Sequence, residues 1–323
     1  MQERLIDSFG RVHNYLRISV TERCNLRCNY CMPEDGIPLT PDEHLPSVDE
    51  LLNIVAVFQE MGVQKIRLTG GEPLVRKELP EILSALFDMG LRDLNITTNG
   101  VFLDKYIDTF LSVGLRSVNI SLDTLDPDKF ENMTRRNRFD RVMNNIRIGM
   151  EAGLRIKINS VLMKDFSEEE ILPMLEWSRL VPIHVRFIEF MPFSGNKWDT
   201  EKLITYQDVL NEARKHFKIE KLTDGQHSTS KSFRVEGGVG TFAVISSMTE
   251  PFCGTCNRLR LTADGKLKNC LFSNQEADLL TALRNGHDLK EIIRLSVRSK
   301  KEAHAGMNNL AEMDNRSMIA IGG

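Results

Sequence analysis

Short runs of β-branched and aliphatic residues alternate with amphipathic segments along the first two thirds of the chain. The runs predict six strands, at residues 15–21, 65–69, 93–98, 117–123, 155–163 and 184–191. The segments between them predict helices, most clearly at residues 48–61, 78–89, 139–152 and 168–180. Alternation of strands and helices favours parallel strands joined by right-handed crossovers. The predicted fold is therefore α/β, an incomplete (βα)6 barrel of the TIM type.

The predicted strands have one apolar and one polar face, because side chains alternate along a strand. The apolar face carries Ile18 and Val20, Ile66 and Leu68, Leu94 and Ile96, Val118 and Ile120, and Ile156 and Ile158. The polar face carries Arg17 and Ser19, Arg67 and Thr69, Asn95 and Thr97, Asn119 and Ser121, and Lys157 and Asn159. Parallel strands are normally apolar on both faces. A half-exposed antiparallel sheet is the alternative, but the intervening helices argue against it. We expect the polar face to line a wet chamber that takes a ligand.

The character of the chain changes near residue 222. The polar segment 223–231 is rich in turn-forming residues and predicts a soft boundary, which divides the chain into residues 1–222 and 223–323. Beyond it the sequence predicts strands at 232–236 and 240–246, a hairpin of 258–262 with 266–270, and helices at 275–284 and 289–298. We expect this C-terminal α+β extension to close the mouth of the barrel.

Charge and hydropathy exclude several classes of function. Lys and Arg number 42 and Asp and Glu number 45, so the net charge of −3 gives no global attraction to nucleic acid or to an anionic membrane. The first 15 residues contain no apolar secretion signal, and the apolar runs are too short to cross a bilayer. We therefore expect a cytoplasmic protein with no membrane span and no nucleic-acid partner, in which cysteines stay reduced.

All six cysteines fall into two triplets. The first, Cys24, Cys28 and Cys31, has the spacing C-x3-C-x2-C, and the second, Cys253, Cys256 and Cys270, has the spacing C-x2-C-x13-C. A structural zinc site needs four ligands, and no histidine lies at a regular zinc spacing from either triplet. Three thiolates on a four-iron cluster leave one iron free to bind a small molecule. Zinc sites completed by distant residues, in a non-catalytic scaffold, remain the alternative.

Several motifs agree on one family. The first triplet with Tyr30 before its last cysteine, and T-G-G-E-P at residues 69–73, resemble the radical S-adenosylmethionine (SAM) enzymes. C-M-P at 31–33, C-N-R-L-R at 256–260 and the terminal I-G-G at 321–323 resemble the branch that cyclises GTP in molybdenum cofactor biosynthesis. The resemblance covers nearly the whole chain and is weakest at residues 223–236.

The resemblance implies two [4Fe–4S] clusters and SAM as cofactors. Cys24, Cys28 and Cys31 would hold the cluster that cleaves SAM, and Cys253, Cys256 and Cys270 would hold a cluster whose open iron meets guanine. The residues expected to contact SAM are Tyr30, Gly71, Ser121 and Met191. The residues expected to hold GTP are Arg17, Arg67, Thr98, Lys157, Arg258 and Arg260. The residues expected to act in catalysis are Arg17, Arg258, Arg260, Gly322 and Gly323.

The resemblance also implies the reaction and the partners. A 5′-deoxyadenosyl radical would remove hydrogen from C3′ of the ribose, and C3′ would bond to C8 of the base. The product would be 3′,8-cyclo-7,8-dihydro-GTP, which a downstream cyclic pyranopterin monophosphate synthase consumes. An electron donor protein is expected as a partner, and a homodimer is left open. A radical SAM enzyme with an auxiliary cluster that acts on a peptide or a sugar is the alternative enzyme.

The residues support these assignments independently but leave alternatives. Arg17, Arg67 and Lys157 lie on the predicted polar face, and Arg258 and Arg260 share a face of one strand. Arginine forks match phosphate oxygens, so these cations suit a triphosphate. Solvated arginines, a buried packing role for Met191, a purely backbone role for Tyr30 and a frayed Gly322–Gly323 end are the competing interpretations.

Overall fold

Six parallel strands form the centre of one sheet, in the order in which they occur along the chain. The computed structural model describes residues 4–32, 36, 38–164, 167–193, 196, 198–304 and 315–322. The six strands are β1 (Tyr15–Ser19), β2 (Lys65–Thr69), β3 (Asp93–Thr98), β4 (Ser117–Ser121), β5 (Arg155–Leu162) and β6 (His184–Glu189). Each pairs in parallel with the next. The predicted α/β fold with a mostly parallel sheet is confirmed.

Helices connect these strands, and three of them, α1, α4 and α7 as bounded below, begin where a polar side chain accepts a hydrogen bond from a backbone N–H group of the first turn. They are α1 (Val48–Glu60), α2 (Leu79–Asp88), α3 (Ile107–Ser112), α4 (Pro127–Thr134), α5 (Phe139–Glu151) and α6 (Ile171–Leu180), with α7 (Tyr206–His216) after β6. Ser47 and Glu50 form a capping box at the start of α1, and Thr205 and Asp208 do the same for α7. The four helices that the sequence predicts between the first six strands are all present, and each begins and ends within three residues of its predicted bounds.

The C-terminal part extends this sheet at both edges. Its strands are β7 (Ile219–Lys221), β8 (Lys231–Val235), β9 (Thr241–Ile245), β10 (Arg258–Leu261), β11 (Lys266–Lys268) and β12 (Ala277–Asp278). Strand β9 pairs in parallel with β6, and β10 pairs in parallel with β1. Twelve strands therefore share one sheet, with the order β12-β11-β10-β1-β2-β3-β4-β5-β6-β9-β8-β7. The division at residue 222 stays a prediction.

The C-terminal helices correct one expectation and the hairpin confirms another. Helix α8 (Leu279–Arg284) does not begin near 275, because residues 277–278 pair with β11. The Asp278 carboxylate then accepts a hydrogen bond from Thr281 N, which caps the helix at that point. The predicted hairpin is found, since β10 and β11 pair antiparallel. Helices α9 (Leu289–Arg298) and α10 (Met318–Ile321) follow.

The core lies between the sheet and the helices. Ile18, Ile66, Ile96, Ile120 and Ile158 are fully buried in a single hydrophobic cluster with side chains from the helices. Leucine and phenylalanine side chains of α1, α2 and α3 belong to the same cluster, which confirms the predicted apolar face. The polar face is thus the only side of these strands left for a ligand. Among the described residues, no helix is both long and apolar enough for a bilayer.

Candidate functional site

Cationic side chains form a band across the polar face of the sheet. The register aligns Arg260 of β10 with Arg17 of β1, and Arg17 with Arg67 of β2. Further along the sheet, Lys157 of β5 pairs with Asn119, and Arg186 of β6 pairs with Asn159. Side chains of paired residues lie on the same face of a sheet. The structure therefore brings together the cations that the sequence predicts to hold GTP, and we call them, with Arg186, the cationic face.

Neutral groups, not carboxylates, surround the central arginine of this face. The Arg67 guanidinium is 5% exposed. Its Nε donates to the Tyr15 hydroxyl at 2.6 Å, Nη1 to Thr97 Oγ1 at 3.3 Å and Nη2 to Asn95 Oδ1 at 3.3 Å. These contacts orient the side chain without neutralising it. Its charge remains available to an anionic ligand.

Burial and mutual repulsion destabilise the charges of the cationic face. Burial, with repulsion from Arg67 and Arg258, lowers the pKa of Arg17 to about 10. Burial, with repulsion from Arg186 and Arg67, lowers the pKa of Lys157 to about 8. Burial lowers the pKa of Arg260 well below its usual value, with further repulsion from Arg17 and Arg258. Cations gathered this closely are stabilised when a polyanion binds between them.

Most cations of the cationic face lack an acidic partner in the part of the chain that the structure describes. The following side chains form no ion pair with any carboxylate there: Arg67, Lys157, Arg186, Arg258 and Arg260. Elsewhere on the molecule, several arginines contact an aspartate or glutamate, as in the exposed Arg147–Glu151 pair. A buried charge is costly unless it is paired. The missing partner is therefore expected to come from a ligand.

Arg186 is a site residue that the sequence analysis did not identify. Burial and repulsion from Arg67 lower its pKa to about 9. Its buried Nε and Nη2 have no hydrogen-bond partner among the described residues, and neither do the buried oxygens Asn119 Oδ1 and Asn159 Oδ1. Unsatisfied buried polar atoms of this kind are rare and mark a place for a missing ligand or water. Its position in the alternation of β6, opposite Asn159, is the signal that would have found it.

The first triplet lies in the loop after β1, packed against the turn that follows β2. Gly71 N donates to Thr21 O at 2.7 Å, and Glu72 N donates to Arg23 O at 2.9 Å. A Cβ atom added at Gly70 would lie 2.5 Å from Thr21 O, and one added at Gly71 would lie 2.6 Å from Arg23 O. Only glycine allows the two backbones to approach so closely. The turn thereby fixes the start of the cysteine loop.

Buried surroundings disfavour thiolates in the first triplet. Burial raises the pKa of Cys24 to about 11 and that of Cys31 to about 12, and it raises the pKa of Cys28 well above its usual value. The neighbouring Cys side chains and Asp123 add to the shifts of Cys28 and Cys31. These thiols are protonated at neutral pH unless a metal displaces the protons.

Two acidic side chains lie beside the first triplet. Burial raises the pKa of Glu72 to about 7, against hydrogen bonds donated by Asn99 N, Thr98 Oγ1 and Leu74 N. Burial also raises the pKa of Asp123 to about 6, and Asp123 accepts a hydrogen bond of 2.7 Å from the Tyr30 hydroxyl. One cation lies here as well, since Arg27 Nη1 donates to Cys24 O at 2.6 Å.

The second triplet lies at the other end of β1. Cys253 and Cys256 precede β10, and Cys270 follows β11, which runs antiparallel to β10. All three therefore lie near the start of β1, whereas the first triplet follows its end. At about 3.3 Å per residue, the five residues of β1 separate the two ends by ~16 Å. The cationic face lies between the two triplets.

Cations surround the second triplet. The Arg258 Nη2 donates to Cys256 Sγ at 3.6 Å. Although burial opposes ionisation, the charges of Arg258 and Lys300 lower the pKa of Cys256 to about 7. The Lys300 Nζ also donates to the carbonyl oxygens of Asn269 and Arg258, which adjoin the cysteines in sequence. The two cations thus favour the thiolate of Cys256, whereas burial and the neighbouring cysteines raise the pKa of Cys253.

Arg11 braces the second triplet from the N-terminal segment. Its Nη1 donates to Cys253 O at 2.8 Å and to Glu302 O at 2.7 Å. Its Nε donates to Asp7 Oδ2 at 2.6 Å. Both side chains are nearly inaccessible to solvent. The sequence analysis did not identify Arg11, because its contact with Cys253 spans 242 residues.

The other predicted site residues are distributed between the two ends of the site. Tyr30 and Ser121 line one cavity with Cys28 and Asp123. Met191 instead packs in an apolar cluster with Phe193, Phe272 and Ile321, beside Cys270. The Thr98 hydroxyl donates to Glu72 Oε1 at 2.6 Å, so it is engaged on the side of the first triplet. The predicted ligand contacts of all four residues stay predictions.

The last described residue of the chain lies in the same site. The Gly322 carbonyl oxygen accepts a hydrogen bond of 2.7 Å from Arg260 Nη1. A frayed end would make no such contact. Gly323, the other terminal glycine singled out by the sequence, lies outside the described residues.

The donor chemistry of the triplets fits iron–sulfur clusters. Within the described ranges, no group of three or more His, Cys, Asp or Glu side chains is arranged around a single metal ion. A four-iron cluster binds each thiolate to a different iron, so its ligands need not converge on one point. In each triplet the thiols are near enough to influence one another's ionisation. The spacing and the softness of three thiols therefore suit a cluster.

Comparison with known families divides the chain into two matched regions. Residues 18–178 match the profile of the Radical SAM superfamily, and residues 183–306 match the profile Molybdenum Cofactor Synthesis C. The first region contains the first triplet and most of the parallel strands. The second contains the second triplet and the strands that flank β1 and β6.

Relatives with curated names match over almost the whole chain. The mitochondrial GTP 3′,8-cyclase of Arabidopsis thaliana is 50% identical, over 100% of this chain and 84% of the relative. The GTP 3′,8-cyclase of Peptoclostridium acidaminophilum is 42% identical, over 99% of this chain and 98% of the relative. Molybdenum cofactor biosynthesis protein 1 of Mus musculus is 48% identical, over 98% of this chain and 51% of the relative. The chain thus spans about half the length of that relative.

Among solved structures, Streptococcus suis SuiB bound to S-adenosylmethionine resembles this chain. The TM-score is 0.64 at 16% identity, over 96% of this chain and 72% of SuiB. Similarity at this level of identity concerns the fold alone. It agrees with the parallel α/β sheet described above.

Proposed function

We propose, because this chain belongs to the GTP 3′,8-cyclase family of the radical SAM superfamily, that it converts GTP to 3′,8-cyclo-7,8-dihydro-GTP in the first step of molybdenum cofactor biosynthesis. Membership of the superfamily implies a [4Fe–4S] cluster and SAM. The observation that carries the proposal is the cationic face, which lies between two cysteine triplets. Five of its side chains form no ion pair with a carboxylate among the described residues: Arg67, Lys157, Arg186, Arg258 and Arg260.

The architecture suits this reaction if the parallel strands curve into an incomplete (βα)6 barrel. Residues 1–222 would form the barrel, and residues 223–323 would close its mouth with the second triplet and the C-terminal residues. The addition of β10 beside β1 and of β9 beside β6 supports this arrangement. Covering both open edges would exclude water from the polar face.

Cys24, Cys28 and Cys31 would hold the first cluster. When bound, it supplies the electron that cleaves SAM to the radical that abstracts hydrogen. The Gly70–Gly71 turn supports the cysteine loop through its contacts with Thr21 and Arg23. Tyr30, Gly71, Ser121 and Met191 would contact SAM. Glu72 and Asp123 lie beside this triplet, and their carboxyl groups would favour a cationic cosubstrate there.

Cys253, Cys256 and Cys270 would hold a second [4Fe–4S] cluster, whose three protein ligands leave one iron open to the guanine. Arg258 reaches Cys256 and therefore lies where cluster and substrate would meet. Three cysteines with no fourth ligand in sequence are consistent with substrate as the fourth ligand.

The cationic face would hold the GTP molecule between the two clusters. Arg67, Lys157 and Arg186 lie on β2, β5 and β6, farther along the sheet from β10 than β1 is, and would bind phosphate oxygens. Arg17, Arg258 and Arg260 lie on β1 and β10, and we assign them, with Thr98, to orienting the ribose and base. The predicted catalytic set of Arg17, Arg258, Arg260, Gly322 and Gly323 would position C3′ against the radical and keep water out. Preorganised orientation of this kind is a large part of catalysis in a closed site.

The proposal includes an electron donor protein and a downstream cyclic pyranopterin monophosphate synthase as partners. It also retains a cytoplasmic location, although the relative from Arabidopsis thaliana is named mitochondrial. Neither a nucleic acid nor a membrane is part of the proposed function, and a homodimer is left open.

Anaerobic turnover with SAM, a reductant and GTP tests the function, with ATP as the control nucleotide. We expect 5′-deoxyadenosine to form with GTP and not with ATP, together with a cyclised product. Arg186→Ala should raise KM for GTP roughly 10-fold, because a charge-assisted contact is lost. Equal formation with both nucleotides would support a radical SAM enzyme for a peptide or another substrate. A colourless, iron-free protein would support the zinc scaffold instead.

A further inference from the structure

We propose that Arg316 is a positioning residue whose ion pairs hold the C-terminal segment, residues 315–322, in the site. We call this segment the tail. The inference rests on the proposed function, since it concerns how the end of the chain reaches the substrate region. It adds a role for three charged side chains that neither the motifs nor the cationic face includes: Arg316, Asp264 and Glu276.

The end of the tail lies against the last residues of β1 and β2. Gly322 has φ +85°, and a Cβ atom added there would lie 2.6 Å from Thr69 Oγ1 and 2.8 Å from Ser19 Cβ. Its carbonyl oxygen accepts a hydrogen bond of 2.7 Å from Arg260 Nη1. The tail therefore contacts both strands of the polar face and one arginine of the cationic face. Its placement bears directly on the geometry of the site.

The base of the tail is tied to the hairpin that carries this arginine. Arg316 Nη1 and Nη2 donate to the two oxygens of Asp264, at 2.9 and 3.0 Å, in a bidentate pair. Arg316 Nη2 also donates to Glu276 Oε2 at 2.6 Å. Asp264 lies in the turn between β10 and β11, whose first strand contains Arg260. The Arg316 guanidinium thus links the tail to the hairpin whose strand β10 contacts Gly322 through Arg260.

The carboxylate of this pair is strongly held. Although burial opposes ionisation, hydrogen bonds from Arg316 and Thr262 lower the pKa of Asp264 to about 2. The Asp264 and Glu276 side chains are only 10% and 14% exposed. Removing the guanidinium would leave these two largely buried carboxylates beside each other with only longer ion pairs, to Lys266 Nζ at 3.2 Å and Lys268 Nζ at 3.3 Å, among the described residues. Buried pairs of this kind are sensitive to the loss of one partner.

A neighbouring contact strengthens the same attachment. The Lys268 Nζ, on β11, donates to Asn315 Oδ1 at 3.0 Å and to Glu276 Oε1 at 3.3 Å. Asn315 Nδ2 donates to Leu271 O at 2.8 Å. Both residues at the base of the tail are thus fixed to β11 and to the segment that follows it.

Apolar contacts alone are the competing account of how the tail is held. Ile319 and Ile321 are buried, and Ile321 packs with Phe193 and Phe272. Helix α10 has only four residues and cannot persist without tertiary contacts. The apolar contacts can give affinity, but the bidentate pair fixes direction and register. The two accounts predict different results when Arg316 is changed.

The test compares Arg316→Gln, Arg316→Lys and Asp264→Asn with Arg147→Gln as the matched control. Arg147 is exposed on α5, where its ion pair with Glu151 lies far in sequence from the tail. Asparagine suits the turn at position 264, so that variant keeps the hairpin. Each protein is prepared anaerobically with its iron, and the melting temperature and iron content are measured first.

Two measurements then report on the tail. Hydrogen exchange of the C-terminal peptide follows the amides of Ala320, Ile321 and Gly322, which donate to carbonyl oxygens within the tail. We expect exchange in Arg316→Gln to be about 10-fold faster or more, because local opening becomes easier.

GTP-dependent turnover should fall by a similar factor at unchanged iron content. Arg316→Lys should recover part of both, and Asp264→Asn should show a smaller effect because Glu276 remains.

The outcomes separate the inference from the proposed function. Exchange and turnover in Arg316→Gln equal to those of Arg147→Gln would overturn the inference. Faster exchange of the tail with unchanged turnover would also overturn it, since the tail would then have no positioning role. If the unsubstituted protein forms no product from GTP, the proposed function fails, while the exchange data still decide whether Arg316 holds the tail.

Discussion

The two cysteine triplets have the same number of thiols but differ in the charged side chains around them. Burial and neighbouring acidic groups keep the first triplet protonated, with Glu72 and Asp123 nearby. Arg258 and Lys300 lie at the second triplet and lower the pKa of Cys256 to about 7. SAM carries a cationic sulfonium, whereas GTP carries a polyanionic triphosphate. The charged groups around each triplet, more than the thiols themselves, therefore distinguish which ligand that triplet suits.

The backbone around the triplets differs as well, and this gives the prediction with the largest effect. In Gly71→Ala the new Cβ would lie 2.6 Å from Arg23 O and 2.7 Å from Glu22 O, so the first cysteine loop must move. We expect SAM cleavage to fall roughly 100-fold, as for other displacements of about 1 Å in an active site. The measurement is 5′-deoxyadenosine formation under anaerobic conditions.

Gly254→Ala is the matched control for that change, since it lies between two cysteines of the second triplet. No atom lies within 4 Å of a Cβ added there. SAM cleavage in this variant should stay within about twofold of the unsubstituted protein, as expected for a surface substitution without contacts. Equal losses in the two variants would show that the two loops do not differ in packing.

A chemical prediction addresses the electrostatic difference. In protein stripped of iron, iodoacetamide at pH 7.5 should label Cys256 at least about 10-fold faster than Cys24 or Cys31, because only the thiolate reacts. With pKa values of about 7 for Cys256, about 11 for Cys24 and about 12 for Cys31, Cys256 is the one of these three that is largely ionised at that pH. Labelling of Cys256 should decline as the pH falls below 7. Peptide mass spectrometry gives each rate, and preferential labelling of Cys24 would contradict the assigned surroundings.

The brace at the second triplet gives a prediction of smaller effect. Arg11→Gln removes the donors to Cys253 O and Glu302 O, so we expect iron content to fall from roughly eight to roughly four atoms per chain. Arg23→Gln is the control, because Arg23 is exposed beside the first triplet and its one ion pair among the described residues is with exposed Asp42 at 3.3 Å. It should keep all its iron. Unchanged iron in Arg11→Gln would show that the second loop holds its shape without the brace.

Local patterns explain what the sequence could predict. The strands, the two faces and the cysteine spacings depend on residues close together in the chain, and these features are found in the structure. Arg186 follows the same alternation, and extending the pattern to β6 would have included it. Arg11 could not be predicted, because its contact with the second triplet joins the two ends of the chain. The pairing of β10 with β1 and the Arg316–Asp264 contact depend on the tertiary fold in the same way.

Extra structure outside the predicted segments also has a physical reason. The strand at Ala277–Asp278 replaces the expected start of a helix, because Asp278 is a better cap than an interior helical residue. Thr98 was grouped with the ligand contacts, yet its hydroxyl binds Glu72. A strand-end threonine can turn to either partner, and sequence alternation does not decide between them.

The most direct test of the central claim is electron paramagnetic resonance on two cluster-deficient variants. One carries Cys24→Ala, Cys28→Ala and Cys31→Ala, and the other carries Cys253→Ala, Cys256→Ala and Cys270→Ala. In the first, the signal of the remaining cluster should change with GTP and not with SAM; in the second, it should change with SAM and not with GTP. A GTP response confined to the cluster of the first triplet, or absent from both variants, would contradict the account.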